Sequence, residues 1–380
     1  MENHLKKPKI CFITPFFYPV KGGVESHIYD VSKELIKLGY DIDVFTTDMD
    51  RDKRIKEKYE EIDKIKIHRF RNWLKISFAE MFFPRVFLEV AKSDADIFHV
   101  HTYRHLYNFI TFFTKKPCVL TPHWPIYRGQ RKLWQQYIID FIDKFLGKIV
   151  FKKFTRIFTV TGLENKWVES FNVPKNKIVI TPNALSNYFF KKYNKFQIRK
   201  KYNIKDKELI VLTLSRIHKS KGIDQLIKVA KHFPNVRFII AGRDGGEELN
   251  LKKLAKSLKL ENIIFAGELT DEERGYYYAS ADIFCSPSHY EGFCIDILEA
   301  MSQECAVITS NQGGMPWVVG NNGLIFEDYN LQDLKKKLDR LVKDKKLREQ
   351  FQKKGYQRSK EFRWETIVKI LDKEYKKIMK

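Results

Sequence analysis

The chain has 380 residues, of which 43% are hydrophobic and 14% aromatic, and its formal net charge is +23. This length exceeds what one hydrophobic core usually holds, so it predicts two domains, and the apolar content excludes an intrinsically disordered chain. No run of about 18 apolar residues occurs, which argues against a membrane-spanning helix. Residues 1–9 are polar and basic, so we expect no signal peptide and a cytoplasmic protein. The five cysteines form no C-x-x-C pair, which predicts free thiols and neither disulfides nor a zinc site.

The positive charge is spread along the chain. Residues 1–190 hold 32 of the 70 lysines and arginines and 21 of the 47 acids. Four explanations of this excess are open: a lysine-rich solvated surface without a partner, or binding to an anionic membrane, to a phosphate-bearing substrate or to nucleic acid. A nucleic-acid-binding protein would need a recognisable module or a concentrated basic stripe with stacking aromatic residues. Neither is evident, so we keep this class as an alternative and expect no nucleic-acid partner.

Apolar runs alternate with helical patterns through the first half of the chain. A helical pattern from Val24 to Leu38 ends at Gly39, which is a common residue after a helix C-terminus. Such alternation predicts a doubly wound parallel sheet. The predicted strands are Ile10–Thr14, Asp41–Thr46, Ile65–Phe70, Asp96–Val100, Cys118–Thr121, Arg156–Val160 and Lys177–Thr181.

The alternation restarts near Glu208 after a basic, aromatic stretch, Ser186–Asp206, that we interpret as a linker. The second set of predicted strands is Leu209–Leu214, Val236–Ala241, Ile263–Ala266, Ile283–Ser286 and Ala306–Ser310. We therefore predict an α/β fold with two Rossmann-like doubly wound domains facing a ligand-binding cleft. The predicted domains are residues 1–185 and residues 186–363, with a final helix, residues 364–380, that returns to the first domain.

Two carboxylates, Glu291 and Glu299, stand eight positions apart around a predicted helix start. On one helix this spacing spans roughly 12 Å, about the distance from the sugar to the ribose of a nucleotide sugar. The backbone N–H groups of Phe293, Cys294 and Ile295 and the helix dipole would favour a pyrophosphate between them. This pattern predicts that Glu291 contacts the sugar and Glu299 the ribose. The alternative is a surface helix with two solvated acids.

Three further groups of residues are candidates for the same site. Gly22 and Gly23 follow the first strand and allow close approach of a ligand, or simply form a tight turn. Arg216 and Lys221 follow the first strand of the second domain and are suited to a diphosphate, or are two surface cations. His123 ends a strand, where its side chain is expected to point into the cleft.

Other polar motifs have weaker functional signals. We interpret His99 and His101 as half-buried histidines with satisfied hydrogen bonds. The pair Gly313-Gly314 offers backbone amides to sugar hydroxyls or forms a tight turn. The triplets Asp48-Met49-Asp50 and Asp94-Ala95-Asp96 match the metal-binding D-x-D pattern, which arises often by chance, and we interpret both as structural.

Taken together, these motifs resemble those of retaining glycosyltransferases of the GT-B fold, in glycosyltransferase family 4. The resemblance covers nearly the whole chain and rests on the order of many short pieces. They are Gly22-Gly23, Thr121-Pro122-His123, Thr181-Pro182-Asn183-Ala184, Ser215-Arg216, Lys221-Gly222, Ala281 to Ser288, Glu291 with Glu299-Ala300-Met301, Gly313 to Pro316, and Phe362 to Glu365.

The resemblance implies a hexosyltransferase that moves a sugar from a UDP- or GDP-sugar to a hydroxyl acceptor, such as a glycolipid, a lipid-linked glycan or a polysaccharide precursor. It implies catalytic roles for His123, Arg216, Lys221 and Glu291. Donor contacts are implied for Gly22, Gly23, Phe293, Cys294, Ile295 and Glu299. It implies no metal and no cofactor, because the cations and the helix dipole neutralise the diphosphate. A GT-B nucleotide-sugar epimerase is the alternative enzyme.

The sequence departs from the pattern of the family at four places, one of which is Gln303-Glu304-Cys305-Ala306 in place of the usual glycine and proline pattern. Cys294 stands where a glycine is usual, and its side chain is expected to crowd the phosphates. Trp317 replaces the glutamate that usually follows the Gly-Gly-x-Pro motif, which leaves the choice of donor open. Ala184 replaces the glycine that usually follows Pro-Asn.

Two aromatic and basic segments raise the hypothesis of membrane contact. Residues 131–154 place apolar side chains at helical spacing beside lysines, and we interpret this stripe primarily as facing the domain core. For residues 69–87 a buried and a membrane-facing interpretation are equally open. The hypothesis is a cytoplasmic enzyme whose first domain docks on the anionic inner leaflet to reach a lipid-linked acceptor. The apolar residues concerned are Trp73, Phe78, Phe82, Phe83, Phe87, Trp134, Tyr137, Ile138, Phe141, Ile142, Phe145 and Ile149; the cations are Arg69, Arg71, Lys75, Arg85, Arg131, Lys132, Lys144, Lys148, Lys152 and Lys153.

Overall fold

The structure is a computed structural model that describes residues 7–20, 22–50, 53–75, 81–123 and 133–380. The chain divides into two compact units. The first unit consists of Met1–Ala184 together with Trp364–Lys380, and the second consists of Leu185–Arg363. Within the described residues, no helix is both long and apolar enough to span a bilayer.

The first unit is built on an eight-stranded sheet in the order β8-β7-β6-β5-β1-β2-β4-β3. All neighbouring strands are parallel except β3, which pairs antiparallel with β4 at the edge. The strands are β1 (Lys9–Ile13), β2 (Asp41–Thr47), β3 (Tyr59–Ile62), β4 (Ile65–Phe70), β5 (Ile97–His101), β6 (Cys118–Thr121), β7 (Arg156–Thr159) and β8 (Ile178–Ile180). Two short antiparallel ribbons pair Met49–Asp50 with Lys53–Arg54 and Leu74–Lys75 with Met81–Phe82.

Helices cover both faces of this sheet. Alternate residues of β1 enter two different clusters: Cys11 and Ile13 pack on one face, and Ile10 and Phe12 on the other. Both faces are therefore buried, as expected for a parallel sheet. The helices are α1 (Gly23–Lys37), α2 (Arg85–Lys92), α3 (Leu133–Ile142), α4 (Lys148–Lys153), α5 (Gly162–Glu169) and α14 (Trp364–Met379). A 3-10 helix spans Leu106–Phe112, another spans Lys175–Lys177, and a π-helical turn, Asp143–Gly147, joins α3 to α4.

The second unit contains a six-stranded, fully parallel sheet in the order β11-β10-β9-β12-β13-β14. Its strands are β9 (Leu209–Leu214), β10 (Val236–Ala241), β11 (Ile263–Gly267), β12 (Ile283–Ser286), β13 (Ala306–Ser310) and β14 (Leu324–Phe326). Its helices are α6 (Phe196–Lys201), α7 (Ile223–Ala230), α8 (Glu248–Ser257), α9 (Asp271–Ser280), α10 (Ile295–Ser302), α11 (Met315–Val319), α12 (Leu331–Lys343) and α13 (Lys345–Lys360). Short 3-10 helices span Asn187–Phe190 and Lys219–Lys221.

The stretch that we interpreted as a linker, residues 186–206, is part of the second unit. It forms the 3-10 helix Asn187–Phe190 and α6, and it buries Phe189 and Ile198. The carbonyl of Phe189 accepts a hydrogen bond of 2.9 Å from Ser302 Oγ at the end of α10. The segment is therefore packed against the second unit, although its basic composition suggested a linker. Its few apolar side chains are sufficient to anchor it.

The core-facing interpretation of residues 131–154 is wrong for most of the described stripe. Trp134, Tyr137, Phe141 and Phe145 are all more than half exposed. The segment instead buries Asp143 and Gly147 in the π-helical turn and Val150 and Phe151 in α4. Arg131 and Lys132 lie outside the described residues, as do the side chains of Ile138 and Ile142.

Residues 69–87 contribute mainly to the structure of the first unit. Arg69 is buried, donates to the carbonyl of Tyr18 and forms an ion pair with Glu60. Phe83 is buried, whereas Trp73 is exposed. The membrane-facing interpretation of this segment therefore fails for Arg69 and Phe83. Phe78 lies outside the described residues, and so does the side chain of Lys75.

Histidines of α1, β5 and the end of β6 form an aromatic cluster in the first unit. His99 is buried with both ring nitrogens bonded, to Tyr375 at 2.6 Å and to Thr121 at 2.7 Å. His101 Nδ1 lies 2.9 Å from His123 Nε2, and the ring of His27 lies edge-on to His123. His99 and His101 are thus fully buried, not half-buried, and His101 Nε2 has no hydrogen-bond partner among the described residues.

Burial keeps these histidines neutral. It lowers the pKa of His27 to about 4 and that of His123 to about 3, and it lowers the pKa values of His99 and His101 well below 6.5. The unfolded chain titrates near 6.5, so it binds more protons than the folded chain between about pH 6.5 and pH 4. Their contribution to stability is complete above about pH 6.5 and declines as the pH falls through this window.

We therefore expect acidification to destabilise the first unit before most carboxylates titrate. Between pH 7.5 and 5.5, the free energy of unfolding should fall by about 1 kcal/mol for each of these histidines. Urea denaturation at both pH values measures this difference. His27→Gln should remove one such increment, whereas His232→Gln should remove a smaller one, because that side chain is exposed although burial and two nearby lysines also lower its pKa. Equal stability at the two pH values would contradict the expectation.

Candidate functional site

Three loops meet at the carboxyl edge of the second sheet. They follow the adjacent parallel strands β9, β12 and β13, whose carboxyl ends lie side by side. In sheets of this type, ligands bind at that edge. The loops contain residues 215–222, residues 287–294 and residues 311–314.

Backbone contacts hold these loops together. Gly314 donates 2.8 Å to the carbonyl of Glu291, and His289 donates 2.9 Å to the carbonyl of Ser220. Gly313 has φ +56°, and a Cβ atom there would stand 2.0 Å from the Glu291 carbonyl oxygen. Only glycine fits this position. Because the Gly314 amide is used internally, the pair Gly313-Gly314 forms a tight turn that supports the Glu291 loop.

Lys221 and Glu291 form an ion pair at the centre of this edge. Ser288 Oγ adds a hydrogen bond of 3.3 Å to the same carboxylate oxygen. Burial opposes the charged form of Lys221, but the neighbouring Glu291 outweighs it and raises the lysine pKa. The side chain of Arg216 is exposed and forms no hydrogen bond or ion pair with the part of the chain that the structure describes. The structure therefore couples Lys221 to the acidic loop and leaves Arg216 in solvent.

Helix α10 begins between the two glutamates, as predicted. Its N-cap is Cys294, with φ 70° and ψ 76°, and its first residue is Ile295. Glu291 therefore lies in the loop before the helix, so the separation of roughly 12 Å, which assumes one continuous helix, does not apply to the two acids. The left-handed backbone at Cys294 breaks the helix there. Phe293 is buried against Trp317 and Phe362, with ring centroids 6.3 and 5.9 Å away.

Glu299 is buried on α10 and held by two residues of α9. Tyr278 donates 2.9 Å to its carboxylate, and Arg274 forms an ion pair with it. Arg274 also contacts Asp296 at 3.1 Å. Burial raises the pKa of Glu299 to about 7, and Arg274 opposes that shift. The carboxylate that was predicted to meet a ribose is thus only 3% exposed in this structure.

Sequence reasoning did not find Arg274. Its signal was a cation four positions before Tyr278, and residues four apart share one face of a helix. Asp296 forms an ion pair with Arg274, and burial raises its pKa while the charges of Arg274 and Lys221 oppose that shift. The site therefore contains two cations, Lys221 and Arg274, and three acids, Glu291, Asp296 and Glu299.

The predicted site residues Gly22, Gly23 and His123 belong to the first unit. Gly22 is the N-cap of α1 with φ −162°, and Gly23 is the first residue of the helix. His123 has a left-handed backbone, φ 55°, and belongs to the histidine cluster. A role for these three residues in donor binding or catalysis stays a prediction.

Both D-x-D triplets have structural partners. Asp48 pairs with Arg54 and accepts 2.9 Å from the backbone of Asn72. Asp96 accepts 2.8 Å from the backbone of Lys9, whose Nζ pairs with Asp94 at 2.7 Å. These contacts agree with the structural interpretation of both triplets. Within residues 7–20, 22–50, 53–75, 81–123 and 133–380, no group of three His, Cys, Asp or Glu side chains is arranged to hold a metal.

The fold and the site define an α/β protein with charged groups at the ligand-binding edge of a parallel sheet. The family profile described as Glycosyltransferase Family 4 matches residues 21–186, and that described as Glycosyl transferases group 1 matches residues 194–358. The chain therefore belongs to the group 1, family 4 glycosyltransferases, which confirms the family resemblance found in the sequence, whereas the retaining mechanism stays a prediction.

Relatives match over most of the chain. An uncharacterized glycosyltransferase of Methanocaldococcus jannaschii is 26% identical, over 98% of this chain and 98% of its own. The GPI3 subunit of the Saccharomyces cerevisiae phosphatidylinositol N-acetylglucosaminyltransferase is 25% identical, over 86% of this chain and 73% of its own.

Solved structures share the fold. Sucrose-phosphate synthase of Thermosynechococcus elongatus has a TM-score of 0.78 at 18% identity, covering 98% of this chain and 99% of its own. Anabaena HepE, in complex with UDP and glucose, has a TM-score of 0.75 at 18% identity, covering 97% of this chain and 100% of its own. The predicted GT-B fold is confirmed by these similarities.

The backbone at Cys294 gives a direct test of local strain. A left-handed conformation destabilises the folded state by roughly 1–2 kcal/mol at a residue with a Cβ atom, and glycine avoids this cost. Glycine also makes the unfolded chain more flexible, which cancels part of the gain in stability. We expect Cys294→Gly to be more stable than Cys294→Ala by about 0.5–1 kcal/mol. Comparing these two variants by chemical denaturation cancels the loss of the Sγ atom. An alanine variant as stable as the glycine variant would contradict this expectation.

Proposed function

We propose that this protein is a retaining hexosyltransferase that moves a sugar from a UDP- or GDP-sugar to a hydroxyl group. The acid and cation cluster at the carboxyl edge of the second sheet is the observation that carries the proposal. Glu291 is proposed to bind the sugar hydroxyls, and Lys221 the diphosphate, with Arg216 as a second cation. Glu299 is proposed to bind the ribose.

The proposed reaction needs charge compensation where the glycosidic bond breaks. The bond between the anomeric carbon and the phosphate oxygen breaks, and the acceptor oxygen bonds to the same face of that carbon. The acceptor proton passes to the leaving phosphate oxygen. Lys221 would neutralise the charge that grows on this phosphate, and the amides of Cys294 and Ile295 at the start of α10 would add partial positive charge. We propose that these groups replace a metal ion and that no cofactor takes part.

The acceptor is proposed to be a glycolipid, a lipid-linked glycan or a polysaccharide precursor. Two named relatives support this choice: the phosphatidylinositol N-acetylglucosaminyltransferase subunit and an Escherichia coli O-antigen chain mannosyltransferase, which is 29% identical over 56% of this chain. Anabaena HepE, solved with UDP and glucose, supports a nucleotide-sugar donor. We propose that the enzyme acts at the cytoplasmic face of a membrane as a peripheral protein.

A donor screen tests the proposed chemistry. Purified protein is incubated with individual UDP- and GDP-sugars, with and without lipid-linked acceptors, and released nucleotide is measured. We expect one donor to be consumed and the transferred sugar to keep its anomeric configuration, as read by NMR. Turnover should persist in excess chelator. Complete loss with chelator that manganese restores would overturn the metal-independent part, and an inverted product would overturn retention.

The Arg274 pair predicts a pH-dependent effect on donor binding. The pKa of Glu299 is about 7 with Arg274 in place, and removing the cation should raise it further. The ionised carboxylate is the better acceptor for ribose hydroxyls, so donor affinity should increase as the pH rises and Glu299 loses its proton. In Arg274→Met this increase should occur at a pH that is higher by at least about one unit.

Calorimetric titrations of the donor from pH 6 to pH 9 measure this shift. Arg274→Lys keeps a positive charge and should restore much of the affinity at neutral pH. Arg340→Met, at an exposed position on α12, is the matched control and should match the unchanged protein. A uniform loss of affinity at every pH in Arg274→Met would instead indicate a steric role.

A further inference from the structure

The helical segment from α3 through α4 presents an apolar stripe to solvent. Trp134, Tyr137, Phe141, Phe145 and Ile149 follow one another at spacings of three and four residues, which places them along one side of a helix. Tyr137 is 73% exposed and Phe141 63%. The rings of Phe141 and Phe145 pack on each other, with centroids 4.6 Å apart, without being covered. Large apolar side chains are seldom left in solvent in such a continuous row.

The opposite side of the same segment is anchored in the first unit. Val150 and Phe151 are buried, and Phe151 stacks on Phe171 at 4.6 Å. Asp143 forms an ion pair with Arg104, with Nη2 and Oδ2 2.6 Å apart. The exposed stripe is therefore fixed in place by a buried side and does not result from a detached helix.

A row of lysines borders the stripe. Lys144, Lys148, Lys152 and Lys153 are exposed, and Lys144 Nζ lies 5.9 Å from the centre of the Phe145 ring. The described part of the segment carries two acids against these four lysines, and one of the two, Asp143, is already paired with Arg104. The border of the apolar stripe is thus strongly positive.

The patch continues onto the neighbouring 3-10 helix. Lys153 Nζ lies 5.1 Å from the centre of the Phe112 ring, and Phe112 and Phe113 are each about half exposed. Lys115 and Lys116 follow directly and are also exposed. Apolar rings with adjoining lysines thus extend from α4 to a second element of the same unit.

We infer that this surface docks in the interface of an anionic lipid bilayer. The exposed rings would enter the region between headgroups and acyl chains, and the lysines would contact anionic headgroups. The combination of exposed apolar rings and exposed lysines favours lipid over a second protein, whose interface cores are depleted of lysine. The inference concerns lipid binding alone and is tested without any transfer reaction.

Cosedimentation with vesicles tests the inference. We expect the protein to bind vesicles of phosphatidylcholine containing phosphatidylglycerol at low salt, and to bind pure phosphatidylcholine at least tenfold more weakly. Phe141→Ser combined with Phe145→Ser should reduce binding at least tenfold. Lys148→Glu combined with Lys152→Glu should also reduce it at least tenfold, because each lysine contributes roughly fivefold near an anionic surface.

Matched controls come from the second unit. Leu249→Ser removes an apolar side chain that is 65% exposed, and Lys353→Glu with Lys354→Glu reverses two exposed lysines of α13. Both should bind vesicles as the unchanged protein does. All variants should keep the melting temperature and the rate of donor hydrolysis without vesicles, so a failure of lipid binding is distinguishable from a failure of the proposed chemistry.

Several results would overturn the inference. They are absence of binding to anionic vesicles at low salt, equal binding to neutral vesicles, and equal losses in the control variants. Analytical ultracentrifugation adds one more: a dimer that Phe141→Ser with Phe145→Ser converts to a monomer would assign the surface to a second copy of the chain.

Discussion

Charge compensation between Lys221 and Glu291 is the interaction on which the candidate site depends. The pair sits between loops that follow neighbouring strands, and both side chains are largely buried. Separating a buried ion pair costs several kcal/mol, because each partner is left with an uncompensated charge. A ligand that enters here must therefore supply equivalent partners: an anion for Lys221 and hydroxyl donors for Glu291. A sugar attached to a diphosphate offers both in one molecule, and few simpler ligands do.

The backbone of the loops around Lys221 and Glu291 is held in place, so a ligand can be accommodated only by movement of the side chains. Gly313 fits only because it has no Cβ, and Cys294 holds a left-handed conformation that fixes where α10 starts. The second ion-paired group, Arg274 with Asp296 and Glu299, is held between α9 and α10. The exposed side chain of Arg216, in the loop 215–222, has no hydrogen bond or ion pair within the described chain, so it can contact a ligand without breaking one.

The sequence allowed the main strands to be predicted, because each is a short apolar run between turn signals. It failed for Tyr59–Ile62, an edge strand with two glutamates that shows no apolar run. It placed the start of α10 correctly between the two glutamates, but the spacing did not indicate the left-handed backbone of Cys294 that caps the helix. Arg274 was missed because its partners come from another helix. The helical spacing of apolar residues predicted the α3–α4 segment, but it did not show which side of the helix packs on the rest of the first unit.

The surplus positive charge of the chain does not reside in the candidate site. There three acids face two partly buried cations among the described side chains, and the exposed Arg216 only balances that count, so the net of +23 is carried outside the site. Surface charge of one sign accelerates encounters with oppositely charged partners and is screened by salt, whereas compensated buried pairs are screened far less. Association with an anionic donor or surface and the chemistry at Lys221 and Glu291 therefore rest on separate sets of charges, and evolution can alter one set without disturbing the other.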